Sequence, residues 1–360
     1  MSNSMSIKSK FKNYNVQFVN DLESVIVLAK CKETFFVIDK IVYNLYKNQL
    51  PQFPKERLYL LDALESKKNM CTVLEICELM TNMRAKRNTH LVSIGGGITQ
   101  DITGFVASSL YRGIKWTFYP TTLLAACDSC IGGKSSLNYK GFKNLLGSFY
   151  PPDEILIYPQ VFKTLTSKDY CSGLGEVVKF SVIAGQDGIN KIETDIEYIL
   201  EHNYVKLVEY IKTSLKFKKW FIEKDEFDKD ERILLNFAHT FGHAYEAVSN
   251  YEIPHGSAVV LGMITANNLS LQRGYITKEY AERIGKVCKK ILHDINININ
   301  IDWFELDIII KAIRKDKKQT DESITAILLD KDCTLKIFKN IKIDEIEKSV
   351  EKLIGFLNIK

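Results

Sequence analysis

Three of the six histidines of this chain, His239, His243 and His255, fall within seventeen residues. His239 and His243 are four apart and share one face of a helix, while His255 opens the next helical stretch after Pro254. Imidazoles grouped in this way, joined by a distant carboxylate, suit a catalytic divalent-metal site that keeps one position open for substrate. Hydrogen-bonded structural histidines would leave the same pattern. The acid that stands out is Glu176, within Cys171–Lys179, because it sits in an otherwise apolar helical stretch where an unpaired carboxylate is costly.

Two further groups carry chemistry. Pro120-Thr121-Thr122 follows a strand and leads to Asp128, then Gly132-Gly133-Lys134, then Gly141-Phe142-Lys143-Asn144. Two lysines beside glycines are suited to bring ammonium groups onto phosphate or carboxylate oxygens through flexible loops, although loop lysines are commonly just solvated. Earlier, His90–Ile94 runs into Gly95-Gly96-Gly97 and then a helix over Ile98–Leu110. Glycines at a strand-to-helix junction let backbone amides approach a phosphate at the positive end of the helix, and Asp101 lies one turn in. A tight connection with no ligand uses glycine too, and the G-x-G-x-x-G fingerprint is absent.

These residues need a scaffold. From Ser24 to Tyr158, β-rich runs (Thr34–Ile38, Arg57–Leu61, His90–Ile94, Trp116–Tyr119, Ile155–Tyr158) alternate with helix-like segments, which predicts a parallel sheet with crossover helices and ligands at the carboxyl ends of its strands. Beyond Thr164 long amphipathic stretches dominate: Gly173–Ala184, Tyr204–Glu226, Glu231–Ser249, Ser257–Arg273 and Lys278–Ile291. Ile324–Leu329 and Thr334–Phe338 alternate like a small hairpin. The fold class is therefore α/β, an N-terminal Rossmann-like parallel-sheet domain over residues 1–165 and a mainly α-helical domain over 166–360.

The bulk numbers agree with an ordinary globular protein: 360 residues, 46% hydrophobic and 26% charged. The net charge of +5, from 49 basic against 44 acidic residues, is too small and diffuse to point to nucleic acid, and an anionic small substrate suits it as well. The eight cysteines lie mostly alone in apolar surroundings, which fits a reducing compartment; Cys127 and Cys130 have no second pair with which to complete a zinc site. With no eighteen-residue apolar run and a polar, basic N-terminus, the expectation is a cytoplasmic protein without membrane partners.

The strings GGGITQDITGF, YRG, PTTLLAACDS, IGGKSSLN, GFKNLLGSFYPP, SGLGEVVKF and LLNFAHTFGHA resemble 3-dehydroquinate synthase, of the sugar-phosphate cyclase superfamily, between about Asp39 and Lys318. The resemblance implies that Glu176, His239 and His255 hold a divalent metal, usually zinc and alternatively cobalt. It implies an NAD site from Asp39, Glu65, Lys68, Gly96, Gly97, Asp101, Thr121, Thr122 and Thr164, with Asp128, Lys134, Lys143 and Asn144 between cofactor and substrate. Arg112, Lys179, Lys218, Arg232, Asn236 and His243 match substrate-contacting positions, joined by Lys317 or Lys318. The implied reaction oxidises a secondary alcohol of a seven-carbon sugar-acid phosphate with NAD, eliminates phosphate, reduces the ketone again, and closes a carbocycle by intramolecular aldol addition. A homodimer is also implied.

Within that resemblance, Arg232, Asn236 and Lys218 favour a carboxylate-bearing substrate, 3-deoxy-D-arabino-heptulosonate 7-phosphate, because a guanidinium fork and an amide match a planar carboxylate. Three positions depart from the family pattern: Ser257 replaces a glutamate, Ala238 a glycine, and Ile41 a polar residue near the cofactor. An acid lost beside a metal ligand changes how that histidine is held or marks a paralogue acting on another substrate, such as sedoheptulose 7-phosphate. An NAD- and metal-dependent polyol dehydrogenase is a third reading, against which Lys134, Lys143, Lys218 and Arg232 argue.

Overall fold

The computed structural model describes residues 3–295, 299–315 and 323–359. The chain divides into two compact units, Met1–Leu165 with Lys218–Asp228, and Thr166–Phe217 with Lys229–Lys360.

The first unit contains β1 (Ser4–Ile7), β2 (Tyr14–Phe18), α1 (Glu23–Lys30), β3 (Thr34–Asp39), α2 (Lys40–Tyr46), β4 (Leu58–Leu61), α3 (Met70–Asn82), β5 (His90–Gly95), α4 (Gly97–Ser109), β6 (Lys115–Pro120), β7 (Lys134–Tyr139), β8 (Phe142–Phe149) and β9 (Glu154–Ile157). Seven strands form one sheet in the order β1-β2-β9-β6-β5-β3-β4. Only β1 runs antiparallel, to β2; the other pairings are parallel. The run Thr34-Phe35-Phe36-Val37-Ile38 is buried throughout, as a strand covered on both faces requires.

Three features of this unit differ from the sequence reading. β1 and β2 extend the sheet from an N-terminal segment that reads as polar and basic, although Ile7, Tyr14 and Val16 are buried there. Lys134 and Lys143 lie on the antiparallel hairpin β7–β8, not on flexible loops. The segment Lys218–Asp228, which a linear division assigns to the helical half, clusters with the first unit because its acids are bound there. Glu223 accepts from the Lys8 amide at 2.8 Å and Glu226 from the Lys10 amide at 2.7 Å.

The second unit contains α5 (Ser167–Ile183), α6 (Gln186–Leu200), most of α7 (Tyr204–Lys224), α8 (His239–Val248), α9 (His255–Gln272), α10 (Lys278–Ile295), α11 (Leu306–Lys315), the hairpin β10 (Ile324–Leu329) and β11 (Leu335–Ile341), and α12 (Ile343–Leu357). Helix α9 is buried almost all round, so it forms the centre, and amphipathic α10 and α12 pack on it. Helix α5 starts where the Thr166 hydroxyl accepts from the Asp169 amide, an N-cap that satisfies one of the helix's open donors. The single helical stretch expected over Glu231–Ser249 is broken: a 3₁₀ turn covers Glu231–Asn236, and Ala238 is left-handed before α8 begins. Among the described residues no helix is long and apolar enough to cross a membrane.

Candidate active site

Helices α5, α8 and α9 meet in the second unit at glycines. A side chain at Gly175 would overlap the Gly256 carbonyl, and one at Gly256 would overlap the Ser172 carbonyl. The Gly256 amide donates to the Ser172 hydroxyl at 3.1 Å. This close backbone approach brings the neighbours of the two glycines, Glu176 and His255, together. Gly262 admits the Ala238 carbonyl in the same way, which draws the start of α8, and with it His239, onto α9.

Glu176 is wholly buried, with His255 Nε2 at 3.4 Å and His239 Nε2 at 3.5 Å from its Oε1. These three side chains can each turn one ligand atom toward a common point. The outer nitrogens are anchored: His239 Nδ1 lies 2.9 Å from the Phe237 carbonyl, and His255 Nδ1 lies 3.2 Å from Glu246 Oε2. A proton held on each Nδ1 directs the lone pair of each Nε2 toward Glu176.

The Lys179 ammonium, one turn along α5, forms an ion pair with Glu176 Oε2. Neither oxygen of this carboxylate has a well-aligned hydrogen bond, although both are buried, where an unmatched charge is costly. Burial works to raise the Glu176 pKa, but Lys179 and His255 outweigh it and hold it below the ordinary range. Burial works to lower the basicity of His255, yet its contacts with Glu176 and Glu246 carry it up to about 10, so an ion binding here must displace the proton on Nε2. Two imidazoles and a carboxylate with converging lone pairs are a donor set that fits a divalent cation such as zinc or cobalt.

His243 stands beside this group, its ring centroid 5.3 Å from that of His239 and 6.1 Å from that of His255. Arg232 is buried and Asn236 donates to the Ile233 carbonyl at 2.9 Å, both on the 3₁₀ turn before α8. Lys317 and Lys318 lie outside the described residues.

In the first unit, the expected cofactor residues form a closed set of bonds. Lys68 Nζ is 2.7 Å from Asp101 Oδ2 and donates to Asn144 Oδ1 at 2.6 Å. The Ser136 hydroxyl donates to Asp101 Oδ2 at 2.9 Å, and the Ser136 amide donates to Asp101 Oδ1 at 3.1 Å. Asn138 Nδ2 donates to Glu65 Oε1 at 2.8 Å, while its Oδ1 accepts from the Asn144 amide at 2.9 Å. Asp101, half-buried on α4, is raised above the usual carboxylate range by desolvation, against the pull of Lys68.

Asp39 caps α2 by accepting from the Ile41 amide at 2.8 Å, and burial raises its pKa; Ile41 itself is exposed. Gly96 precedes α4 and Gly97 begins it, and Gly96 has no room for a side chain beside Thr122. A small apolar pocket at the ends of β5 and β6 is lined by Tyr46, Ile94, Tyr119 and Thr121, and Thr164 is 3.0 Å from the Tyr46 hydroxyl. Lys218 Nζ grips Asp128 twice, at 2.9 Å through Oδ1 and 2.7 Å through the carbonyl. Lys134 pairs with Asp228 at 2.5 Å. Lys143 lies on β8 beside left-handed Asn144. Arg112, also left-handed, closes the short turn after α4.

The sequence reading passed over Ser136, Asn138, Asp228 and Glu246. Glu246 had a signal, since it falls three residues after His243 and seven after His239, on their helix face. Asp228 and the two hairpin residues had none, because their partners are distant in sequence.

Residues 58–172 match the family described as 3-dehydroquinate synthase N-terminal, and residues 173–319 match 3-dehydroquinate synthase C-terminal. The chain belongs to the 3-dehydroquinate synthase family. Members are phosphate-eliminating cyclases, carbon–oxygen lyases, and this chain is an enzyme of that kind. It is 36% identical over 327 residues to the 3-dehydroquinate synthase of Clostridium tetani, covering 90% of this chain and 86% of that protein. It is 37% identical over 306 residues to that of Pelagibacter ubique, covering 82% of each. Among solved structures, 2-epi-5-epi-valiolone synthase from Streptomyces hygroscopicus, with NAD+ and Zn2+ bound, superposes with a TM-score of 0.84 at 25% identity over 97% of this chain and 98% of that one.

Proposed function

We propose that the enzyme converts 3-deoxy-D-arabino-heptulosonate 7-phosphate to 3-dehydroquinate and phosphate, using NAD and one divalent ion, zinc or cobalt. The observation that carries this reading is the buried Glu176 carboxylate facing two oriented imidazoles, with Lys179 one turn away. When bound, NAD supplies a reversible hydride acceptor and the ion a Lewis acid for the substrate's oxygen.

The chain's own side chains do the rest. Glu176, His239 and His255 hold the ion. In the first unit, Gly96 and Gly97 present amides to the pyrophosphate of the dinucleotide at the start of α4, and Asp39, Glu65, Lys68, Asp101, Thr121, Thr122 and Thr164 take its polar groups. Lys134, Lys143, Asn144 and Arg112 bind the phosphate that leaves, and Asp128 fixes the Lys218 ammonium. Arg232, Asn236 and Lys218 recognise the substrate carboxylate; a fork of paired donors orients it and adds a charge-assisted bond. Lys179 and His243 hold or move protons at the substrate's hydroxyls. Much of the acceleration comes from positioning, since the later steps are intramolecular.

A cytoplasmic homodimer is part of this reading. The test is to supply purified protein with NAD and zinc or cobalt, and to measure phosphate release and NADH together. Phosphate release from the heptulosonate phosphate without net NADH is expected. Stoichiometric NADH would instead mark a polyol dehydrogenase, and turnover of sedoheptulose 7-phosphate alone would mark a specialised cyclase.

A further inference from the structure

We infer that Glu246 is the positioning residue of the metal centre: its carboxylate fixes the ring of His255, so that the metal affinity of the enzyme depends on an acid that is not itself a ligand. This rests on the reading of Glu176, His239 and His255 as the ligand set. The two imidazoles are held in different ways. His239 is tied locally, through Nδ1, to the carbonyl of Phe237 two residues earlier. That backbone contact comes with the turn into α8 and survives changes of side chain.

His255 is the first residue of α9, the more exposed of the two, and its Nδ1 contact is with the Glu246 carboxylate at 3.2 Å. Its other nitrogen faces Glu176 at 3.4 Å. The ring therefore lies between two carboxylates, one on the ligand side and one behind it. A carboxylate behind a ligating imidazole sets its tautomer, restricts its rotation and raises its basicity as a donor.

Residue 257 does not do this here. Residues two apart on a helix point to different sides, and Ser257 is fully buried with a hydroxyl that has no hydrogen-bond partner. The acid that serves His255 comes instead from α8, nine residues back. It thereby couples the rotamer of a ligand on α9 to the helix that carries His239 and His243.

Glu246 also forms, with His243 and His255, a second group whose ligand atoms lie within 4.8 Å of one another. As a ligand it would compete with Glu176 for the same imidazole; as a positioning group it supports the first set. The anchored Nδ1 favours the second role, because one ring cannot keep a proton and bind an ion at the same nitrogen.

The experiment uses cobalt(II) as the probe, with its affinity measured by competition against a coloured chelator and its geometry by visible absorption. Wild type, Glu246→Gln, Glu246→Asp and Glu176→Gln are compared, with urea unfolding of each metal-free protein alongside. Glu246→Gln is expected to weaken cobalt binding about 10- to 100-fold, with an altered visible band and an unchanged urea midpoint, and Glu246→Asp to recover part of the affinity. Affinity of Glu246→Gln within twofold of wild type overturns the proposal. So does cobalt bound by Glu176→Gln as tightly as by wild type, since Glu246 would then be a ligand. A wild-type protein that binds no cobalt would overturn the metal reading itself, and the proposal with it.

Discussion

The two units surround their lysine-paired carboxylates in different ways. In the first, Asp101 is surrounded by donors from Lys68 and from the side chain and backbone of Ser136, and Asn144 joins the same network. In the second, Glu176 is more deeply buried, its oxygens have no aligned hydrogen bond, Lys179 pairs with Oε2, and the Nε2 atoms of two imidazoles face Oε1. A carboxylate saturated in this way leaves no charge for an ion and ties α4 to the hairpin β7–β8. A buried carboxylate flanked by two imidazole nitrogens that can each give up a proton is a place prepared for a divalent cation, which all three groups can bind together.

The sharpest way to break this contrast is Glu176→Ala. It should abolish metal retention after gel filtration and lower phosphate release by about a thousandfold, the loss of several kcal/mol of transition-state stabilisation. Because it removes the partner of buried Lys179, it should also destabilise the protein by about 3–5 kcal/mol. Activity retained with full metal content would overturn the ligand assignment.

Gly256→Ala tests whether backbone contact creates the site. Its methyl group would overlap the Ser172 carbonyl, so α5 and α9 must separate, at a cost of about 3 kcal/mol and with loss of cobalt affinity. Unchanged stability and affinity would show that the helices do not need the glycine.

For the first unit, a double-mutant cycle of Lys68→Met and Asp101→Asn should give a coupling of about 1–3 kcal/mol in urea unfolding. A cycle that closes near zero would mean the network is decorative. The left-handed residue ahead of His239 offers a smaller effect of opposite sign. Ala238 sits at φ +69°, which costs an L-residue about 1–2 kcal/mol. Part of that gain is offset by the freer unfolded chain of a glycine variant, so Ala238→Gly should stabilise by about 0.5–1 kcal/mol; destabilisation would show that the methyl group packs usefully.

Asp330 extends the comparison, being a carboxylate of the second unit built on the plan of the first. Its Oδ1 accepts from the Asp332 amide and from the amide and hydroxyl of Thr334, and Lys336 pairs with Oδ2. Burial opposes ionisation, but these contacts lower its pKa from 3.8 to about 2. The unfolded chain binds the proton more tightly, so the stabilisation is complete above about pH 4 and is lost as pH falls through about 2. Asp330→Asn should be less stable at neutral pH and show a flatter acid limb in thermal unfolding; an identical acid limb would remove Asp330 from the account.

The sequence was enough for the elements with a strong local signal. Buried β3, β5 and β6 read as parallel strands because both faces need apolar side chains, and α5, α7, α9 and α10 were legible as helical stretches, whereas α6, α11 and α12 were passed over. Glu176 and the three histidines could be picked out as chemistry because charge in apolar surroundings and imidazoles at helical spacing are visible in a string of letters. What the string could not hold is anything set by contact between distant segments. The glycines Gly175 and Gly256 look like weak points of helices until α5 and α9 are seen to touch there. The break at Ala238, the pairing of Lys134 with Asp228, and the return of Lys218–Asp228 to the first unit depend on partners far along the chain. Most of all, the tertiary structure decided which acid stands behind His255. Residue 257 is nearer in sequence, but helix geometry turns it into the core, and Glu246 reaches the ring from another helix.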